Sequence, residues 1–147
     1  QHGHFVGEEF SNLKMLDLSG KSVNLDDIAG KGEAVYLEFC RLKCEPSSTS
    51  LKRLNKLDKT QYNMRFVLFC FDEFEDAKKL YAKMGIHKSV ACFCGEQFKA
   101  LEFYGMSATP HRVVIDPDGL VIFNGIHKPK LVDGSDFLPP QVEAYRR

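Results

Sequence analysis

The residues best suited to chemistry stand together in the stretch Glu38-Phe39-Cys40-Arg41-Leu42-Lys43-Cys44-Glu45-Pro46-Ser47. A strand-like apolar run precedes this stretch and a helix-like run follows, so Cys44 falls where a strand ends and a helix begins. There the N–H groups of the first helical turn and the positive end of the helix dipole favour a thiolate, the reactive form of cysteine. Cys44-Glu45-Pro46-Ser47 has the form of a Cys-x-x-Cys redox motif with serine as its second cysteine. A hydroxyl cannot close a disulfide, so dithiol exchange through that pair is impossible, although Cys44 alone can still attack a disulfide. Lys43 is expected to favour the thiolate further. Glu38 is the lone acid of the apolar run, and an acid in such surroundings is poised to exchange protons. The plainer reading of Cys44 is a small buried hydrophobe ahead of a helix.

The elements that position these residues follow from periodicity and turn chemistry. Ala34 to Phe39 is a continuous apolar run that suits a central strand covered on both faces. Pro46 fits the first turn of the next helix, where a missing N–H costs nothing, and Leu51, Leu54 and Leu57 recur at helical spacing. Arg65 to Phe71 reads as a second strand, with Cys70 inside it as a small buried hydrophobe. Asp72 and Glu75 form a capping pair for a helix through Met84, which Gly85 stops. Ser89 to Phe93 is extended, and Gln97 to Tyr104 is a short helix ended by Gly105. Arg112 to Ile115 and Leu120 to Phe123 are strands joined by the tight-turn sequence Asp116-Pro117-Asp118-Gly119. An N-terminal hairpin turns at Ser19-Gly20-Lys21, and a helical turn starts at Asn24 or Asp26. Beyond Gly125 the chain becomes polar and Pro-rich, which predicts a frayed tail with at most a short helix. Strand–helix alternation implies parallel strands with right-handed crossovers, and the closing hairpin adds antiparallel ones. The expectation is a single domain over residues 1–147, with its core at about residues 10–125 and a tail at 126–147.

The 147 residues carry a formal net charge of zero and no long block of one sign. That argues against nucleic acid or an acidic membrane surface as partner. No apolar stretch reaches transmembrane length and no signal pattern opens the chain. It begins at Gln1 rather than Met, as a processed or truncated chain does, and a removed signal peptide or anchor would then be out of sight. Gln1 to His4 receive no role. The five cysteines, Cys40, Cys44, Cys70, Cys92 and Cys94, do not form the paired Cys-x-x-Cys spacing of structural zinc. Cys92 and Cys94 would share a strand face. They and Cys40 are candidates for a second redox thiol, with a structural reading open for each, since a bridge needs Cα atoms within about 7 Å.

Three separated segments, in order, carry a family resemblance. They are Gly20-Lys21 through Leu25 to Gly30-Lys31, then Glu38-Phe39 to Cys44-Glu45-Pro46-Ser47, then Thr109-Pro110-His111-Arg112-Val113-Val114-Ile115-Asp116-Pro117-Asp118-Gly119. Over about residues 10–125 the chain resembles the TlpA/ResA-like group of thioredoxin-fold thiol-disulfide oxidoreductases. The second and third segments are similar to its "F-W-x-x-W-C-x-P-C" and "P-x-x-x-x-I-D-x-D-G" patterns. The resemblance implies a thioredoxin-like α/β three-layer sandwich, with a mixed central sheet, helices on both faces and an N-terminal β-hairpin. It implies Cys44 as nucleophile, Glu38 as the acid assisting proton transfer, and Ser47 in the place of the resolving cysteine. Glu45 and Pro46 match the motif's interior. Pro110 matches a cis-proline that, with Thr109 before it, presents backbone to substrate opposite Cys44. The implied partner is a protein thiol or disulfide, with no metal and no cofactor. The implied location is extracytoplasmic or periplasmic, a cytoplasmic one being left open.

Departures from the pattern matter as well. Cys40 and Lys43 replace both tryptophans of the family segment. Ser47 is either native, which makes the protein a monothiol, or a cysteine replaced to trap a mixed disulfide; the missing tryptophans favour native divergence. A redox-inert binding module on the same fold is the alternative function. An SCO-like copper protein using Cys40-x-x-x-Cys44 and a distant histidine ranks lower, because Cys40 falls at the strand end and His111 follows the proline. A thiol peroxidase ranks lower too, for want of Pro-x-x-x-Thr-x-x-Cys around Cys44. His111 is expected at the surface beside the substrate groove, and His87 and His127 in exposed loops.

Overall fold

Along the strand Ala34–Cys40 the side chains of Val35, Leu37 and Phe39 join one buried apolar cluster, and those of Ala34, Tyr36 and Cys40 join another. A strand buried on both sides must lie inside a sheet with both faces covered. The computed structural model describes residues 6–86 and 88–147; residues 1–5 and His87 lie outside the described residues. Among the described residues the strands are β1 (Lys14–Asp17), β2 (Ser22–Asn24), β3 (Ala34–Cys40), β4 (Met64–Cys70), β5 (Val90–Cys94), β6 (His111–Ile115) and β7 (Val121–Gly125). They form one sheet in the order β2-β1-β5-β4-β3-β6-β7. Strands β3, β4 and β5 are parallel, while β6 runs antiparallel to β3 and β1 antiparallel to β5.

The helices are α1 (Glu45–Lys56), α2 (Phe74–Met84) and α3 (Gln97–Tyr104). Leu51 and Leu54 of α1 and Ala77 of α2 pack with Tyr36, Cys40, Phe66 and Leu68. On the opposite face, Ala100 and Tyr104 of α3 pack with Leu37, Phe39 and Phe69. The expected mixed sheet with helices on both faces is present. Gly85 and Gly105 end α2 and α3 in the left-handed conformation, each at φ 65°, as glycine after a helix can.

Two local expectations are corrected. Helix α2 begins at Phe74 with Glu73 as its N-cap, so Asp72 does not cap it; the Asp72 carboxylate is drawn instead to the amides of a neighbouring loop, described below. Nor is the C-terminal segment frayed. Phe137 and Val142 are buried in the α1/α2-side cluster, and Pro140–Tyr145 form a 3-10 turn. Arg146 continues the docking: it bridges to Tyr62 and sets its guanidinium 4.9 Å from the centre of that ring. Two apolar side chains reaching the core outweigh the tail's polar composition.

Because β3, β4 and β5 run in parallel, their C-terminal ends share one edge of the sheet. Strand β6 starts at that edge, where His111 pairs with Phe39. The loop after β3 and the Thr109-Pro110 segment before β6 are thereby brought to the same place.

Candidate active site at the C-terminal edge of the parallel strands

Residues 41–44 carry the chain from β3 into α1, and each of their amides has a partner. Arg41 N–H donates to Ser47 Oγ at 3.1 Å, Leu42 N–H to Asp72 Oδ1 at 2.7 Å, and Lys43 N–H to Asp72 Oδ2 at 3.3 Å. Cys44 N–H closes the turn onto the Arg41 carbonyl at 3.0 Å. Cys44 is the N-cap of α1, extended at φ −93°, and its side chain makes no capping bond. Its carbonyl accepts the first helical bond, from Ser48 N–H. The thiol therefore stands at a helix N-terminus, on a loop held from both ends. Cys44 is half-buried, whereas Cys40, Cys70, Cys92 and Cys94 are buried, and all five are free thiols.

Ser47 is fully buried. Its hydroxyl oxygen holds the loop through Arg41 and so has a structural task where the motif would place a second thiol. Glu45 and Pro46 are exposed in the first turn of α1. The Thr109–Pro110 peptide bond is cis, and both residues are half-buried at the start of β6. Lys43 corrects its expectation. Its ammonium pairs with Asp76 Oδ2 at 2.6 Å, and that bond raises the lysine's pKa and lowers the aspartate's. The charge expected beside the thiol is bound to α2.

Glu38 is not the lone acid it is in the strand's own sequence. Across the sheet its register partner is Arg112, and both are buried. Arg112 Nε lies 3.3 Å from Glu38 Oε1, which also accepts from the Tyr36 hydroxyl at 2.6 Å and the Ser50 hydroxyl at 3.2 Å. The guanidinium further donates to Ser50 Oγ at 2.8 Å and to the His127 carbonyl at 2.5 Å. Burial works against its charge, but Tyr36 and Glu38 beside it outweigh that and raise its pKa. Burial, with Glu38 second, pushes the Tyr36 phenol well above its ordinary value. Glu38 Oε2 is buried without a hydrogen-bond partner. Sequence reasoning missed Arg112, although a signal existed: a lone cation in one apolar strand answers a lone acid in another.

His111 is likewise corrected. It is buried, not at the surface, with Nε2 2.6 Å from Asn124 Oδ1 and its ring 5.8 Å from Phe39. Its position on a central strand next to Phe39 explains the burial. His127 is half-buried, its Nε2 2.8 Å from the Asp136 carbonyl. His87 lies outside the described residues. Among the described residues no group of three or more His, Cys, Asp and Glu is arranged to hold a metal ion, and no helix is long and apolar enough to cross a membrane.

Of the other cysteines, Cys40 and Cys92 bring their sulfurs against Cys70, at 3.4 and 3.5 Å. Cys94 lines a groove of about 990 Å³ with Leu16, Phe71, Phe74, Phe98 and Phe103. This groove opens between the β1–β2 hairpin and α3, at the same edge of the sheet as the Cys44 loop.

Residues 6–124 match the AhpC/TSA family. The chain belongs to that family. It is 30% identical over 120 residues to the thiol-disulfide oxidoreductase ResA of Bacillus thuringiensis, covering 80% of this chain and 67% of ResA. Within the family it therefore falls with the ResA-like thiol-disulfide oxidoreductases. The thioredoxin domain of a thiol-disulfide oxidoreductase from Bacteroides vulgatus has the same fold, with a TM-score of 0.72 at 21% identity and 97% and 98% of the two chains covered. The pneumococcal exposed lipoprotein thioredoxin of Streptococcus pneumoniae also shares it, with a TM-score of 0.67 at 21% identity over 91% and 99%. The fold of this ResA-like chain is thus the thioredoxin fold expected from its three segments.

Proposed function

We propose that this ResA-like protein acts on protein thiols or disulfides through the single thiol of Cys44. The observation that carries this reading is the position of Cys44: half-buried at the N-terminus of α1, with Ser47 buried and bonded in the second motif position. In the reaction the Cys44 thiolate attacks a partner's disulfide. A bond forms between Cys44 and one partner sulfur, the partner's S–S bond breaks, and the other sulfur leaves as a thiolate that takes up a proton. Ser47 cannot displace the partner, so the mixed disulfide persists until a second thiol resolves it. Thr109 and Pro110, at the same sheet edge, offer the docking backbone, with Glu45 and Pro46 at the mouth of the site. Glu38 Oε2, buried and without a partner, is the carboxylate oxygen available to accept a proton. The name of one fold neighbour, the exposed lipoprotein thioredoxin of Streptococcus pneumoniae, supports an extracytoplasmic setting.

The test is to restore the missing thiol. Ser47→Cys should turn stoichiometric capture of a disulfide substrate into catalytic turnover in an insulin-reduction assay. Cys44→Ser should abolish both capture and turnover. Full biological activity in Cys44→Ala would overturn the reading in favour of a redox-inert docking module.

A further inference from the structure

Four of the five cysteines lie on one face of the three parallel strands, and three of them, Cys40, Cys70 and Cys94, end those strands. Cys40 is in register with Cys70, and Cys70 with Cys94, across β3, β4 and β5. Cys92, two residues before Cys94, lies on the same face and within the same buried cluster. The central thiol touches two others: Cys70 Sγ is 3.4 Å from Cys40 Sγ and 3.5 Å from Cys92 Sγ. We infer that Cys40, Cys70 and Cys92 form a second thiol-disulfide centre, independent of Cys44, in which Cys70 closes a disulfide with Cys92 or, by one further exchange, with Cys40.

Backbone spacing permits the Cys40–Cys70 bond, whose partners are in register on strands about 4.8 Å apart, inside the Cα separation of about 4.4–6.8 Å that disulfides span. Cys92 stands opposite Leu68, two residues off the Cys70 register and about 7–8 Å away on the diagonal, so the Cys70–Cys92 bond forms only as the strand backbone shifts and is the transient one. The Cys40–Cys70 sulfurs, 3.4 Å apart, need to close by about 1.4 Å to reach bonding distance. Access is graded. Cys40 and Cys70 are fully buried, while Cys92 is 7% exposed and is the member of the trio that a reagent reaches first.

The step balances with a disulfide as oxidant. The Cys92 thiol loses its proton and attacks R–S–S–R, forming Cys92–S–S–R and releasing one R–SH. Cys70 then attacks the Cys92 sulfur, the second R–S⁻ leaves with the proton that Cys70 gives up, and the two protein thiols are oxidised as two small thiols are formed. Attack by Cys40 on Cys70 moves the bond to the Cys40–Cys70 pair and returns Cys92 to the thiol form. The groups are slow partners for bulk reagents, which suits an internal store of one disulfide. Contact with Cys40, then burial, pushes the Cys70 thiol well up, and contact with Cys70, then burial, raises Cys92. For Cys40 the Cys70 contact pulls down, and burial with Glu38 nearby overcomes it.

The experiment uses the full chain carrying Cys44→Ser, incubated to equilibrium with oxidised glutathione as the disulfide probe. Free thiols are then counted by alkylation under denaturing conditions, and the linked tryptic peptides are sequenced. Cys40, Cys70 and Cys92 fall in separate tryptic peptides, residues 32–41, 66–78 and 89–99. The proposal expects the loss of two thiols and a cross-linked peptide pair containing Cys70. Adding Cys70→Val, a buried apolar replacement whose folding circular dichroism checks, should abolish the cross-linked pair and block at most one of the three remaining thiols, as a glutathione adduct on Cys92. Retention of all four thiols in Cys44→Ser, or a linkage that excludes Cys70, would overturn the proposal. Because Cys44 is absent throughout, either result leaves the Cys44 mechanism to be judged by its own test.

Discussion

A thiol reacts as its anion and only where a reagent can reach it. Cys44 is half-buried at a helix N-terminus, whereas burial pushes the Cys94 thiol up to about 11, and contact among Cys40, Cys70 and Cys92 together with burial leaves those three raised as well. Brief treatment with iodoacetamide at about pH 8 should therefore modify Cys44, the one half-buried thiol, ahead of the four buried ones. Labelling of Cys94 should climb as pH approaches about 11, and peptide mapping follows both. Ser47 makes a different contribution. Its fully buried hydroxyl is the acceptor for Arg41 N–H, so Ser47→Ala leaves that donor unmatched and should cost about 1–3 kcal/mol in urea unfolding. An unchanged midpoint would mean that the hydroxyl is dispensable to the loop.

Between elements, the buried Glu38–Arg112 pair is a charged tie. It joins β3 to β6, reaches α1 through Ser50 and holds the segment after β7 through the His127 carbonyl. Removing one partner strands a charge in the core, so Arg112→Met should lose about 3–5 kcal/mol, and Glu38→Leu a similar amount. The double variant Glu38→Leu/Arg112→Met should lose much less than the sum, since neither charge is left unpaired. Additive losses in a double-mutant cycle would contradict the coupling. At the end of β5, Gly95 has Phe69 packed against its backbone so closely that a Cβ would drive into the ring. Gly95→Ala should accordingly disturb the edge shared by Cys94 and the groove, and a lowered Tm would report it.

For the molecule as a whole, the four raised thiols set the response to alkali. Each folded pKa lies above the unfolded value of about 8.5, so the unfolded chain releases protons first. The stability they contribute is fully present below about pH 8.5 and is lost as pH rises beyond it. Tm should hold near neutrality and decline above about pH 8.5, and Cys70→Val should flatten that decline; a parallel curve would show that other groups are responsible. The C-terminal segment belongs to the same fold. Truncation after residue 136 removes Phe137 and Val142 from the core, at about 1.5–3 kcal/mol for each. The shortened chain should melt markedly earlier.

Features that depend on local chemistry were legible in the order of residues. The strand-to-helix step at Cys44, Pro46 in a first helical turn, the glycine stops at Gly85 and Gly105, and the Asp116–Gly119 turn each depend on residues a few positions apart. Together with three ordered motif segments, they located the site and the fold. Which distant groups meet was set by the folded sheet. Glu38 and Arg112 are 74 positions apart and Cys40 and Cys70 are 30 apart, and both pairs meet through strand register. The same register buried His111, and packing against α2 drew Lys43 to Asp76 while Asp72 turned to the Cys44 loop. Periodicity marks which face of a strand is buried, but a partner across the sheet is chosen by an alignment that no short window of residues contains.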